Sequence, residues 1–150
     1  MAPPRQSTSL ETFVTNTFFF LVIQDDDEVF KITYNRNFDR GYEAIFNSDR
    51  LNFQTHLDFV QTLRKSVSDR RLVRFEAVVN ETNENGVTCQ VGFISEVGGN
   101  KDGKEVVYKS VGTLNVVFLE KHREGGGGHR QIDGERLVMR VEEKGEAESA

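Results

Sequence analysis

Up to about residue 70 the apolar side chains recur at every third or fourth position, and beyond it they alternate. The first spacing belongs to amphipathic helices and the second to half-buried strands. A chain that places its helices first and its strands afterwards points to an α+β fold, not to the alternating units of a parallel α/β sheet. Its 150 residues support one domain.

Thr8-Ser9-Leu10-Glu11 fits a capping box. Leu10, Phe13, Val14, Phe18 and Leu21 then share one face of a first helix. Phe19, Phe20, Val22 and Ile23 widen that face until the helix is apolar almost all round, so other structure or a partner must cover it. The carboxylates Asp25 to Glu28 lack EF-hand spacing and a glycine turn. They read as a solvated turn whose charges suit the next helix's N-terminus. That helix is predicted over Asp27 to Tyr34, with turn chemistry from Asn35 to Gly41. Tyr42 to Phe46 reads as a short strand, followed by the turn Asn47-Ser48-Asp49. Asn52 is a good N-cap for a third helix, where Phe53, His56, Leu57, Val60, Leu63 and Val67 form an apolar stripe.

In the second half, Val73, Phe75, Ala77 and Val79 alternate on one face, as do Val87, Cys89, Val91 and Phe93. Asn85-Gly86 and Asp102-Gly103 mark hairpins. A long strand from about Lys104 to Lys121 needs a bend or bulge, and Gly112 is its natural site. After Gly125 to Gly128, a last strand runs from about Arg130 to Glu142, with a bulge signalled at Asp133-Gly134. The result is a four-strand antiparallel meander.

Charge excludes some functions. Lys and Arg number 19 against 24 Asp and Glu, a net charge of −5. The stretch from Glu142 to the end has four glutamates and one lysine, or −3 of that total. A near-neutral body has no basic face to displace counterions, so no nucleic-acid partner is expected. The longest apolar run, Phe18 to Ile23, is far short of the roughly 18 residues of a spanning helix. It also lacks the flanks of a signal peptide, so no membrane association and a cytoplasmic location are expected. One cysteine excludes an intrachain disulfide, and Cys89 reads as a small hydrophobe. The domain is expected over residues 9–142, between a flexible arm at 1–8 and an acidic disordered tail at 143–150. The sequon Asn80-Glu81-Thr82 reads as accidental without a secretion signal.

The order of elements resembles the NTF2-like superfamily and, within it, the SnoaL-like proteins. In sequence the likeness is carried by Phe38-Asp39-Arg40-Gly41-Tyr42-Glu43-Ala44-Ile45-Phe46-Asn47-Ser48-Asp49-Arg50-Leu51-Asn52-Phe53 and the helix through Leu63-Arg64. The resemblance implies a cone: a strongly curved antiparallel sheet packed on three N-terminal helices and wrapped around a pocket. It also implies a homodimer paired through the outer sheet face. Apolar residues on both faces of the long strand, among them Val106, Val107, Val111, Leu114, Val116 and Leu119, agree with this. The fold hosts isomerases, cyclases and dehydratases beside noncatalytic modules, so it does not fix the function.

The catalytic branches of that superfamily move a proton next to a carbonyl, using an acid or base of raised pKa in an apolar pocket. His56, on the apolar stripe, is the first catalytic candidate, joined by Asp39 and Tyr42 near the turn before the first strand. Tyr34, Phe18, Phe53, Tyr108 and Ser110 are the ligand-binding candidates. The competing readings are a helix-edge histidine satisfied by a backbone carbonyl, a turn-stabilising Asp39 and tyrosines at the rim. His122 and His129 flank the glycine-rich loop and read as exposed. No histidine spacing suits a metal, the glycines lack a phosphate-loop frame, and no cofactor is expected. Arg64, Lys65, Arg70, Arg71 and Arg74 form a basic patch that suits the third helix's C-terminal dipole. Glu76 and Gln90 fall on outward faces, and no strand carboxylate reads as inward. Two functions therefore stand. One is a protein that binds an apolar small molecule, with or without cofactor-free proton-transfer chemistry. The other is a noncatalytic dimerisation or interaction module.

Overall fold

A computed structural model describes residues 10–80, 88–119 and 129–144. Helix α1 (Leu10–Phe18) runs into a π-helical turn, Phe19–Ile23. Helix α2 (Asp27–Asn37), strands β1 (Phe38–Phe46) and β2 (Asp49–Asn52), and helix α3 (Phe53–Ser66) follow. The long strands are β3 (Ser68–Asn80), β4 (Thr88–Lys101), β5 (Lys104–Leu119) and β6 (His129–Glu143). All six strands join one curved, open sheet in the order β2-β1-β6-β5-β4-β3, with the three helices beside it. Among the described residues, no helix is long and apolar enough to cross a membrane.

Strands β3 to β6 form the antiparallel meander that the alternation predicts. Strand β1 departs from the expectation of an antiparallel sheet, since it lies parallel to β6. No hairpin joins these two strands, so nothing in their connection forces them antiparallel. The core lies between the helices and the inner sheet face, where Val14, Leu21 and Phe30 meet Val91, Leu114 and Leu137.

Local chemistry explains most element boundaries. Asp26 caps α2 by accepting from the amides of Glu28 and Val29. Asn52 and Thr55 form a reciprocal capping box on α3. Asp102 and Gly103 both have positive φ, at 53° and 79°, which suits a tight hairpin. Asn47, at φ 60°, turns the chain between β1 and β2, a hairpin whose second strand was not foreseen.

Other boundaries differ from expectation. Helix α2 continues through the predicted turn to Asn37, whose side chain donates to Thr17 Oγ1. The turn residues Asp39 to Gly41 instead lie in a register irregularity inside β1, with Asp39 accepting from the Gly41 amide. Gly112 is not a bulge, because β4 and β5 pair without interruption past it. A Cβ there would lie 2.4 Å from the Arg136 carbonyl oxygen and 2.6 Å from Leu137 Cβ, so close strand packing is what requires glycine. The bulge falls between Asn115 and Val116 on one side and Gly134 and Ile132 on the other, with Asp133 as the extra residue. A second shift, between Leu72 and Arg74, turns Val73 out to solvent while Phe75, Ala77 and Val79 pack inward.

The basic patch is partly internal. Arg64 is 8% exposed and donates to the Leu21 and Gln24 carbonyls and to Asp27. Its guanidinium also lies over the Phe30 ring. Arg70 donates to the carbonyls of Val22, Arg64 and Val67 and to Asp25. Both arginines thus bind carbonyls where the first helical segment ends, and the aspartates expected to be a solvated turn are their ion-pair partners. The arm at 1–8, the Thr8 cap, Glu81 and Thr82 of the sequon, the Asn85-Gly86 turn, His122, Gly125 to Gly128, the side chain of His129 and most of the acidic tail lie outside the described residues.

Candidate active site

A cavity of about 100 Å³ lies between the helices and the inner sheet face. Its walls are mostly apolar, from Val14, Phe18 and Leu21 on the helical side to Phe93, Leu114 and Leu137 on the sheet. The polar groups that reach it are Thr17, His56, Ser95, Tyr108, Ser110 and Glu135.

Glu135 is the ionisable strand residue that the sequence reading missed. Its side chain is 10% exposed. Tyr42 Oη donates to Glu135 Oε1 at 2.7 Å. His56 Nε2 stands 4.0 Å from Oε1, too far for a hydrogen bond. Burial pushes the Glu135 carboxyl up to about 7, against the opposing effect of Tyr42's hydrogen bond. Near neutral pH this group holds and releases a proton with comparable ease.

The bulge at Asp133 places Glu135 inside. Before it, Ile132 faces inward; after it, Glu135, Leu137 and Met139 do. One extra residue moves the inward set from even to odd positions. Counting back by two from Met139 and Leu137 gives Glu135, so the signal was present in the sequence.

His56 sits where the α3 stripe predicts, 4% exposed. Four aromatic rings surround it. Tyr42 stacks at 4.6 Å between centroids, with Phe38 at 5.3 Å, Phe46 at 5.4 Å and Tyr34 at 5.6 Å. This burial pushes the imidazole down to about 3, so His56 is neutral at physiological pH. The hydrogen bonds also assign its tautomer. Tyr34 Oη lies 2.8 Å from the Phe53 carbonyl oxygen and 2.9 Å from His56 Nδ1. A carbonyl cannot donate, so Tyr34 gives its one proton to Phe53 and accepts from Nδ1–H. Nε2 is then left as an acceptor on the Glu135 side. Burial, followed by the charge of Glu135, raises both Tyr34 and Tyr42 far above the usual phenol range, so both keep their protons.

The other candidates divide by position. Phe18, Tyr108 and Ser110 line the cavity with His56. Tyr34 and Tyr42 stand behind it, 0% and 1% exposed, touching His56 and Glu135. Phe53 packs edge-on against Tyr34 and under Arg40, outside the lining. Asp39 is also outside it, with its carboxylate on the Gly41 amide. Cys89 is half-buried on β4, while Glu76 and Gln90 are exposed as predicted.

No family model and no curated protein matches the sequence. Solved structures do match it in shape. An NTF2-like protein of unknown function from Pseudomonas aeruginosa superposes with a TM-score of 0.53 at 8% identity, over 85% of this chain and 92% of its own. A SnoaL-like family protein from Agrobacterium tumefaciens, provisionally assigned as an isomerase, gives 0.52 at 11% identity, over 85% and 94%. At these identities the likeness is one of architecture. The chain has the NTF2-like fold that its order of elements implied.

Proposed function

We propose that this protein binds a mostly apolar carbonyl compound and moves a proton beside its carbonyl group without a cofactor. One observation carries the reading: Glu135, with its carboxyl raised to about 7, lines an otherwise apolar cavity. In its ionised form Glu135 takes the proton from the carbon next to the carbonyl. The C–H electron pair moves into the new double bond, and the carbonyl becomes an enolate. Glu135 then returns the proton to a conjugated carbon, which completes an isomerisation; its return to the original carbon gives isotope exchange alone. Tyr42 orients the carboxyl. His56, neutral and with Nε2 as an acceptor, suits a ligand hydroxyl and is a positioning residue, not the proton carrier. The solved relative provisionally assigned as an isomerase is compatible with this class of reaction.

The test is deuterium exchange into neutral ketones in heavy water, followed by proton NMR. The wild type should exceed the buffer rate, and Glu135→Gln should lose on the order of 100-fold. A wild type no faster than buffer, or a glutamine variant as fast as the wild type, would refute the reading.

A second reading rests on the outer sheet face. Val111 and Val138 are directly paired there, at 53% and 65% exposure, and Val111 also pairs with Ile94. A ribbon of β-branched side chains across three strands supports pairing of two copies through this face. Dimer formation without any exchange activity would favour a noncatalytic module.

A further inference from the structure

From the proposed role of Glu135, on which this step rests, we infer that Tyr34 is a positioning residue. It fixes His56 with its proton on Nδ1, so that the Glu135 carboxyl docks on Nε2 while it holds a proton and is released when it loses it. The polarity starts at the backbone. The Phe53 carbonyl, in the first turn of α3, lies 2.8 Å from Tyr34 Oη and can only accept. Tyr34 therefore commits its one proton there and meets His56 Nδ1, at 2.9 Å, as an acceptor. A hydroxyl in place of that carbonyl could turn round. A carbonyl cannot, so the imidazole keeps one tautomer. Its Nε2 lone pair then stands 4.0 Å from Glu135 Oε1, and among the described residues no hydrogen-bond donor reaches it.

The two charge states of Glu135 meet that lone pair differently. An ionised carboxylate only accepts, so it and Nε2 repel and the gap stays open. A neutral carboxyl has one proton to donate. Tyr42 already holds Oε1 from β1, at 2.7 Å, by donating its own proton. Nε2 is the acceptor on the other side, and a shift of about 1 Å closes the gap to hydrogen-bond length. No neighbouring charge overrides this. The titratable groups around the carboxyl are Tyr42 from β1, His56 from α3 and Tyr34 from α2. Both tyrosines keep their protons, and the charge of Asp58, on α3, holds that of Tyr34 more firmly. Among the described residues, no lysine, arginine or aspartate lines the cavity beside Glu135. The carboxyl is thus tied to His56 in its acid form and free to face the cavity in its base form.

Nitrogen NMR of the full chain labelled at histidine tests this without any ligand. In the wild type, His56 Nδ1 should keep the shift of a protonated nitrogen both below and above the Glu135 midpoint. Nε2 should move from a hydrogen-bonded to a free acceptor shift as Glu135 ionises. In Glu135→Gln the amide donates at every pH, so Nε2 should stay still. Tyr34→Phe leaves Nδ1–H without its acceptor. The proton should then pass to Nε2, where it donates to the ionised carboxylate and lowers the Glu135 midpoint by on the order of one pH unit. A wild-type proton on Nε2, or an Nε2 resonance that ignores the titration of Glu135, would overturn the inference without any variant. So would Tyr34→Phe with tautomer and midpoint unchanged, the result expected if Tyr34 only fills space. The proton-transfer reading is judged separately, by exchange in Glu135→Gln, so either can fail alone.

Discussion

At the scale of single residues, the two buried ionisable side chains of the site affect stability in opposite directions. Folded Glu135 keeps its proton up to about 7, against 4.5 for an unperturbed glutamate. Between those values the folded state binds more protons than the unfolded one, so this group costs stability as pH rises. Glu135→Gln removes that cost. The variant should gain on the wild type by on the order of 3 kcal/mol between about pH 4.5 and 7, measured by denaturant unfolding across pH. His56 is held down to about 3, so the unfolded state binds more protons between 3 and 6.5 and stability is lost as pH falls through that window. Tyr42→Phe removes the hydrogen bond that lowers Glu135's pKa. The exchange profile of that variant should move to higher pH; an unmoved profile would count against the contact. The placing of His56 was legible because its neighbours on the α3 stripe are apolar. Glu135 was missed because the strand was not followed through the Asp133 bulge. Asp39 stands outside the cavity lining, because nearness in sequence to Tyr42 is not nearness to the cavity.

At the scale of elements, the two periodicities identified three helices and four long strands, since alternation and helical spacing survive on any core-facing element. What local pattern could not supply were the features set by distant packing. The parallel partner of β1 lies some 90 residues away in sequence. Arg64 looks like a surface cation on α3, yet it is tied to the end of the first helical segment. Arg64→Met should cost about 2–4 kcal/mol in chemical denaturation, from the lost charge-assisted bonds and the carbonyls left without a partner. Gly112→Ala should cost on the order of 2–3 kcal/mol, since backbone of β6 stands where its methyl would go. Gly134→Ala meets its nearest atom only at 3.5 Å and should be much milder. Similar costs for the two alanines would show that close approach at Gly112 is not what fixes the β5–β6 contact.

At the scale of the whole molecule, nine of the 12 phenylalanines precede residue 60, and the fold explains where they go. Phe38 and Phe46 wall in His56, and Phe18 and Phe59 line the cavity from the helical side. The sheet supplies the opposite wall and, through one bulge, the carboxyl. If two copies pair through the outer face, Val111→Asp/Val138→Asp should be monomeric in light scattering while keeping its fold. A wild type that is itself monomeric would remove that face from the account. The claim on which the function depends is that this fold encloses a carboxyl and raises its pKa. A titration of the Glu135 carboxyl-carbon chemical shift, assigned by comparison with Glu135→Gln, measures it directly. The account predicts a midpoint near 7. A midpoint near 4.5, the ordinary value for glutamate, would contradict it.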